Sequence, residues 1–200
     1  MAVTDFVIIL CWVIFFAVIL VGAFRTKPTV ERGPLSNKVF YTLPIVLAIF
    51  LLFKGLTAQT APGTGLSQPL YPLYVQVLPA TTPILVIGVV LAVSGLFIAL
   101  WARVILGTNW SGAVTFKEKH ELIQKGPYAF VRHPLYTGLL MMFLGTVIEA
   151  GTLGSLIGFP LFFIGCWIKL KQEESLMTKH FGEEYTRYKI KVKALIPYLL

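Results

Sequence analysis

Residues 126–138 read GPYAFVRHPLYTG and place an arginine, a histidine and a proline directly before a long apolar stretch. Pro134 lacks a backbone N–H and has a fixed φ, so it fits the first turn of a helix and favours an extended conformation at His133. A helix is therefore predicted to begin at Pro134, at a membrane surface. The unpaired N–H groups of its first turn, together with the charge of Arg132, would favour an anion such as a carboxylate. In the alternative interpretation, Arg132 and Lys125 only anchor the helix to anionic lipid.

The surrounding sequence is too apolar for a soluble protein of this size. Of the 200 residues, 56% are hydrophobic and 13% are charged, and the mean hydropathy is +0.80. Uncharged runs of about 20 residues can cross the roughly 30 Å of hydrocarbon in a bilayer. We therefore predict an all-α integral membrane protein with about five transmembrane helices, a C-terminal helical hairpin around the short connection EAGT, and a cytoplasmic amphipathic tail. The predicted spans are 6–24, 39–57, 83–102, 134–148 and 152–168.

The net charge of +8 comes from basic residues that are concentrated in the connections on one predicted side of the membrane. Every lysine and arginine except Lys54 falls in 25–38, 103–132 or 169–193, and five spans would place these stretches on one side of the membrane. This bias explains the charge without a nucleic-acid partner. The connection 58–82 has no basic residue, is rich in proline, glycine and threonine, and is expected to cap the structure at the headgroups without doing chemistry.

The same charge distribution predicts the orientation of the chain. By the positive-inside rule, the N-terminus lies outside and the C-terminus lies in the cytoplasm. The membrane would be the plasma or inner membrane in a prokaryote, or the endoplasmic reticulum in a eukaryote.

Small residues and cysteines inside the predicted spans have simple structural interpretations. Both cysteines, Cys11 and Cys166, fall in spans, where no disulfide can be inferred and where no histidine or carboxylate stands at zinc-ligand spacing. No metal site is expected. Glycines recur at spacings that allow helices to pack closely. These are Gly88, Gly95, Gly138, Gly145, Gly154, Gly158 and Gly165.

A second polar cluster follows the last predicted span, at residues 169–189, KLKQEESLMTKHFGEEYTRYK. Glu173 and Glu174 flank an inward-facing helical stripe, where adjacent carboxylates repel each other unless a cation or hydrogen-bond donors hold them. A salt bridge to Arg132 or Lys169 would satisfy one of them. The stripe itself follows helical steps of seven, four and seven. It consists of Leu170, Met177, Phe181 and Tyr188.

A third cluster lies between the third and fourth spans, at residues 109–128, NWSGAVTFKEKHELIQKGPY. It contains the aromatic Trp110 and the hydrogen-bonding ring of His120. Most lone histidines in such loops have no chemical role. His120 is a candidate only because of its position beside the predicted helix start.

Together these clusters resemble the isoprenylcysteine carboxyl methyltransferase family, which is also similar to phospholipid methyltransferases. The resemblance covers about residues 107–198 and rests on an Arg-His-Pro-x-Tyr core, the paired glutamates and a Phe-Gly-x-x-Tyr-x-x-Tyr tail. It implies that S-adenosylmethionine binds in a cytoplasm-facing pocket formed by the last two spans and the segments around them. A single membrane domain, 1–200, would then combine three spans in 1–106 with a cofactor-binding catalytic half in 107–200.

The resemblance also implies roles for individual residues. The expected cofactor-binding residues are His120, Tyr128, Arg132, His133, Pro134, Tyr136 and Glu174. The expected catalytic residues are Arg132, Glu173 and Glu174. Arg132 would steer the carboxylate of the methyl acceptor or hold that of the cofactor, and one glutamate would pair with the cofactor ammonium or ribose. Which glutamate has which role stays open at this stage.

Methyl transfer to a membrane-embedded lipophilic acceptor is therefore the predicted function, with carboxyl O-methylation of an isoprenylcysteine-like substrate as the first hypothesis. In a phospholipid N-methyltransferase, the second hypothesis, one glutamate would accept a proton. A non-catalytic membrane protein or transporter with this fold is the third, although the interiors of the spans lack the ionisable residues typical of a transporter. A distant similarity to membrane-bound sterol reductases would imply a nicotinamide cofactor, but no further feature of the sequence supports it. The expected partners are the lipophilic substrate and membrane lipid, with no nucleic acid and no metal.

Overall fold

The computed structural model describes residues 3–60 and 71–200, and most of them are helical. By length and composition, the first, third and fifth helices can each cross a membrane, which agrees with the predicted all-α integral membrane protein. The stretch Asn37–Leu52 of the second helix and the fourth helix, Pro134–Ala150, are also apolar, and each is 10–17 residues long. The elements in chain order are α1 (Val3–Ala23), β1 (Thr29–Arg32), α2 (Leu35–Thr60), α3 (Thr82–Leu106), β2 (Thr115–Lys117), α4 (Pro134–Ala150), α5 (Leu153–Phe181) and α6 (Glu183–Lys191).

Helices α3 and α4 pack against each other at backbone contact distance. A Cβ atom on Gly95 would lie 2.5 Å from the carbonyl oxygen of Gly138, and one on Gly88 would lie 2.9 Å from that of Gly145. Helix α5 approaches α2 in the same way at Gly165, where a Cβ atom would lie 2.9 Å from a carbonyl oxygen. Any side chain at these positions would overlap the neighbouring backbone, because interiors are close-packed. The packing role predicted for these glycines is confirmed.

The predicted helical hairpin is present between α4 and α5. Gly151 ends α4 in the left-handed conformation, with φ 61°, which glycine adopts without steric cost. Thr152 and Ser155 form a capping box at the start of α5. The rings of Phe143 and Phe162 stack with centroids 4.1 Å apart across the hairpin. Even so, α4 packs mainly on α3 and α5 mainly on α2, a pairing that the sequence did not predict.

The hairpin turn is covered by the end of the predicted cap 58–82. The backbone N–H groups of Val77 and Leu78 donate to the carbonyl oxygen of Gly151 at 2.8 and 3.0 Å. Residues 61–70 of the cap lie outside the described residues. The part that the structure describes thus behaves as a cap at this end of the helices.

The opposite end of the bundle carries the basic connections, and we call residues 24–34, 107–133 and 182–200 the basic end. There β1 pairs antiparallel with β2 and links the first of these connections to the second. This small sheet is an addition to the all-α prediction, because strands of three or four residues are too short to show an alternating pattern. Helix α5 also continues without a break into the basic end and carries both glutamates of the second cluster there.

Candidate active site

The chain enters α4 through a 3₁₀ turn at Gly126–Ala129. Tyr128 is buried in this turn, and its carbonyl oxygen accepts a 2.5 Å hydrogen bond from the hydroxyl of Tyr188 on α6. Pro134 takes the first helical position, as predicted. His133 precedes it with φ −127° and ψ 57°, so its ψ is smaller than the extended value expected before proline. The start of α4 is therefore fixed to α6.

The C-terminal segment forms hydrogen bonds with the backbone directly before α4. The N–H of Arg132 donates to the carbonyl oxygen of Lys193 at 2.8 Å, and the N–H of His133 donates to that of Ala194 at 2.9 Å. These two groups are thus occupied within the protein. Both groups precede the first turn of α4. The anion site expected from the N–H groups of that turn stays a prediction.

Arg132 and Glu174 form a buried ion pair between the start of α4 and the end of α5. Their exposed fractions are 9% and 3%, and the Nε and Nη2 atoms of Arg132 lie 2.8 and 2.5 Å from Oε1 of Glu174. The remaining guanidinium nitrogen, Nη1, donates to the carbonyl oxygens of Lys189, at 3.3 Å, and Val192. The salt bridge weighed as an alternative for one glutamate is present. It connects α4, α5 and the end of α6 through one guanidinium group.

Further basic side chains surround the carboxylate of Glu174. Nε2 of His133 lies 3.3 Å from Oε1, and the Nζ atoms of Lys171 and Lys189 lie 3.8 and 3.9 Å from Oε2. Within the described chain, Oε2 is buried without a hydrogen-bond partner. Positive charge offsets the cost of burying this carboxylate. The carboxylate of Glu174 therefore interacts with side chains of the protein itself.

Glu173 has a different environment from its neighbour. Its Oε1 atom accepts a 2.7 Å hydrogen bond from the hydroxyl of Tyr136, and the side chain is half-buried. Nearby, Lys169 lies 5.6 Å from the ring centre of Tyr136 and donates to the carbonyl oxygen of Gly112 at 2.7 Å. Consecutive helical residues point about 100° apart, so only one of two adjacent glutamates can face a given cavity.

A cavity of about 260 Å³ opens at the basic end among α1, α4, α5, α6 and the connection 107–133. Pro134 and Glu174 are not among the described residues on its wall, and their contact with the cofactor stays a prediction. Pro134 is fully buried in the first turn of α4, and Glu174 is covered by Arg132 and His133. The predicted site residues that line the cavity are His120, Tyr128, Arg132, His133, Tyr136 and Glu173.

The cavity wall also contains residues that the sequence did not assign to the site. Phe15 and Ile19 of α1 form an apolar wall with Leu139 of α4, and Lys169 and Tyr185 add polar groups. Nothing in the composition of α1 distinguishes two apolar residues from their neighbours in a membrane span. Lys169 was considered from the sequence only as a salt-bridge partner of a glutamate; its position one helical turn before Glu173 is a signal that could have placed it on the cavity wall.

His120 belongs to an aromatic stack on the cavity wall. Its ring lies 5.0 Å from that of Phe116, which lies 3.7 Å from the ring of His180. Burial lowers the pKa of His120 to about 4, and the positive charges of Lys27, Lys117 and His180 contribute to the same direction. His120 is therefore neutral near pH 7 and can act as a hydrogen-bond acceptor on the wall.

This shift predicts that the protein loses stability as the pH falls from about 6.5 to about 4. In that window unfolded His120 binds a proton and folded His120 does not, so acid favours the unfolded state; the contribution is fully present above the window. Thermal unfolding in detergent across this range should show a weaker pH dependence for His120→Asn than for the unchanged protein. Hydrogen bonds from Lys179 and His180 lower the pKa of Glu31 below its ordinary 4.5, so the stability that Glu31 contributes is lost at lower pH than that of His120. Equal pH dependence in both proteins would contradict the assignment to His120.

The helices and this cavity define an α-helical integral membrane protein with a polar, charged site at one end of its bundle. The family model for phospholipid methyltransferases matches residues 83–184, which is half of the chain. The chain belongs to this family. The match includes all of α3 except its first residue, the whole of α4 and α5, and the connection that holds His120, so it covers both residues of the Arg132–Glu174 pair.

Individual relatives agree with the resemblance identified from the sequence motifs. The chain is 34% identical over 109 residues to a protein-S-isoprenylcysteine O-methyltransferase of Schizosaccharomyces pombe, covering 52% of this chain and 45% of the relative. It is 29% identical over 116 residues to a probable protein-S-isoprenylcysteine O-methyltransferase of Oryza sativa subsp. indica, covering 56% and 61%. It is also 35% identical over 71 residues to methanethiol S-methyltransferase 1 of Bradyrhizobium diazoefficiens, covering 36% and 24%. The chain thus spans about half the length of the curated isoprenylcysteine relatives it matches.

Proposed function

We propose that this protein is an S-adenosylmethionine-dependent methyltransferase that acts on a membrane-embedded lipophilic acceptor, by carboxyl O-methylation of an isoprenylcysteine-like substrate. The observation that carries this proposal is the cavity at the basic end, where Glu173, Lys169 and Arg132 stand beside the apolar wall of Phe15 and Ile19. The charged residues suit a charged cofactor and the apolar wall suits a lipophilic acceptor, and methyl transfer requires the two ligands to lie side by side. The names of the isoprenylcysteine relatives support the same acceptor class.

The residues on the cavity wall suit S-adenosylmethionine, which carries an ammonium, a carboxylate and a sulfonium group. When bound, it supplies a methyl group made electrophilic by the positive sulfur. Glu173 is the candidate partner of the ammonium group, and Lys169 is the candidate partner of the carboxylate. The tyrosines at 128, 136, 185 and 188 form much of the remaining wall. Of the described residues, no group of histidine, cysteine, aspartate and glutamate is arranged to hold a metal ion.

Methylation of a carboxylate requires alignment and exclusion of water more than proton transfer. The carboxylate is already a nucleophile, so the chain need not supply a base. Arg132 faces the cavity while its guanidinium nitrogens hold Glu174 and the end of α6. We assign Arg132, His133 and Glu174 the role of positioning α4 against α5 and α6. Glu173 is the acidic residue that we assign to direct contact with the cofactor.

Phospholipid N-methylation is the second candidate function, and the environment of Glu173 favours it specifically. An attacking amine must lose a proton, and a carboxylate hydrogen-bonded to Tyr136 within the cavity could accept it. The two functions differ in the acceptor atom, oxygen or nitrogen, and the same binding site for the cofactor would serve both.

We further propose that one membrane domain crosses the bilayer five times, with the N-terminus outside and the basic end in the cytoplasm. Each of the five long helices has one terminus at the basic end: the end of α1, the start of α2, the end of α3, the start of α4 and the end of α5. The β1–β2 pairing and the Arg132–Glu174 pair support this arrangement. The positive-inside rule supports the orientation. Depending on the cell, the membrane would be the plasma or inner membrane or the endoplasmic reticulum.

The proposal predicts that the purified chain in detergent binds S-adenosylhomocysteine, the product that keeps the amino-acid groups of the cofactor. Calorimetry should give a saturable signal, because Glu173 and Lys169 pair with those groups. With labelled S-adenosylmethionine, the chain should methylate a prenyl-cysteine analogue at its carboxylate and leave phosphatidylethanolamine unmodified.

The reverse preference would establish the second candidate function in place of the first. Absence of S-adenosylhomocysteine binding by a chain with intact helical content would contradict both, and would favour a non-catalytic membrane protein.

A further inference from the structure

A second concave site lies between α1 and α3, at the point where both helices reach the basic end. It is a groove of about 430 Å³ that shares no lining residue with the candidate active site. Its walls are Ala17, Val18, Val21, Gly22, Arg25, Arg103, Val104, Gly107 and Thr108. Most of this surface is apolar, whereas the two arginines stand at the end of the groove nearest the basic connections.

Arg103 is the unusual residue of this groove, because it is buried and only partly satisfied. It is 6% exposed, its Nη1 atom donates to the carbonyl oxygen of Gly107 at 2.7 Å, and its Nε atom has no hydrogen-bond partner within the described chain. Of the carboxylates that the structure describes, none forms an ion pair with Arg103 or Arg25. A buried guanidinium without a counter-ion is costly, so an anion is the expected ligand.

The sequence of α1 makes room for this arginine. A Cβ atom on Gly22 would lie 2.1 Å from Nη2 of Arg103, so the guanidinium group lies directly against α1 at a residue without a side chain. Arg25 follows one turn later and is exposed beside the groove. Two guanidinium groups therefore stand at one end of an apolar channel whose other walls include the exposed Val21 and Val104.

We propose that this groove binds an anionic phospholipid, with the phosphate between Arg25 and Arg103 and an acyl chain along Ala17, Val18 and Val21. Charge complementarity selects the headgroup, since the site has two positive charges and no described acidic residue on its wall. The apolar channel can contact an acyl chain, which a lipid has and a soluble anion lacks, so it favours the lipid. The ligand would also hold Arg103 in place over the ring of Trp110, 4.7 Å away, which lines the candidate active site.

The test measures binding of short-chain phosphatidylglycerol and phosphatidylcholine to the full chain in a zwitterionic detergent, by native mass spectrometry. Phosphatidylglycerol should bind and phosphatidylcholine should not. Arg25→Gln should weaken phosphatidylglycerol binding about fivefold, since a basic residue near anionic lipid is worth about 1 kcal/mol. Arg25 is exposed, so this variant should fold; Arg103→Gln should weaken binding further. The matched control is Arg187→Gln, an exposed arginine of α6 outside the groove, which should leave binding unchanged.

Three results would overturn this inference. The first is equal binding of the two lipids, and the second is equal weakening by Arg25→Gln and Arg187→Gln. The third is competition by inorganic phosphate alone at the concentration of the lipid, which would make the site one for a soluble anion. Because none of these measurements involves methyl transfer, the inference stands or falls independently of the proposed function.

Discussion

Replacing Arg132 with alanine is expected to destabilise the protein by about 3–5 kcal/mol, because it leaves a buried carboxylate without its main partner. Glu174 is 3% exposed and receives both Nε and Nη2 of Arg132. The same substitution removes the donor to the carbonyl oxygens of Lys189 and Val192, so α6 should loosen as well. Unfolding of the purified chain in mixed micelles with a denaturing detergent measures the change in free energy.

The matched control for this substitution is Lys171→Ala. Nζ of Lys171 lies 3.8 Å from the other carboxylate oxygen of Glu174, but its side chain is 53% exposed. An exposed partner contributes only about 0–1 kcal/mol, so this variant should remain close to the unchanged protein. Arg132→Met combined with Glu174→Leu should recover part of the loss, because no buried charge is then unpaired. If Arg132→Ala costs no more than Lys171→Ala, the buried pair does not hold the helices together.

Replacing Glu173 with glutamine is expected to lower the affinity for S-adenosylhomocysteine about 10- to 100-fold while leaving the unfolding free energy nearly unchanged. This prediction rests on the proposed function. Removing the charge from one charge-assisted hydrogen bond costs about 1.5–3 kcal/mol, whereas the amide can still accept the hydrogen bond from Tyr136. Calorimetry on the purified variant measures the affinity, and the unfolding experiment above checks the fold.

Glu184→Gln is the matched control, because Glu184 is an exposed glutamate of α6 outside the cavity. It should bind S-adenosylhomocysteine as the unchanged protein does. Glu174→Gln separates the roles of the adjacent glutamates, since its main effect should be on stability. If Glu173→Gln binds S-adenosylhomocysteine with unchanged affinity, Glu173 does not pair with the ammonium group of the cofactor.

The paired glutamates illustrate what could be predicted at the level of the site. Their place beside a packed helical stripe indicated that one of them needed a cation, and Arg132 and Lys169 were both named as partners. The structure selects Arg132 for Glu174 and directs Glu173 to the cavity. The choice depends on the rotation of α5 relative to α4, which is fixed by contacts between helices distant in sequence.

The groove arginine Arg103 illustrates what the sequence could not show. From the sequence it was simply the basic residue that closes the third span. Its burial results from the crossing of α1 at Gly22, and neither helix alone contains that information. The same is true of Phe15 and Ile19, which become part of the cavity wall only because α1 packs near α4.

The sequence by itself determined the class of protein, the positions of its apolar helices, the start of α4 at Pro134, the close-packing glycines and the family. These features depend on composition, on local backbone preferences and on motifs that are continuous along the chain. Only the tertiary structure decided that α3 pairs with α4 and α2 with α5, that the C-terminal segment occupies the N–H groups before α4, and which glutamate faces the cavity. The physical reason is that apolar helices can pack on many partners, and the choice among them depends on the fit of whole surfaces.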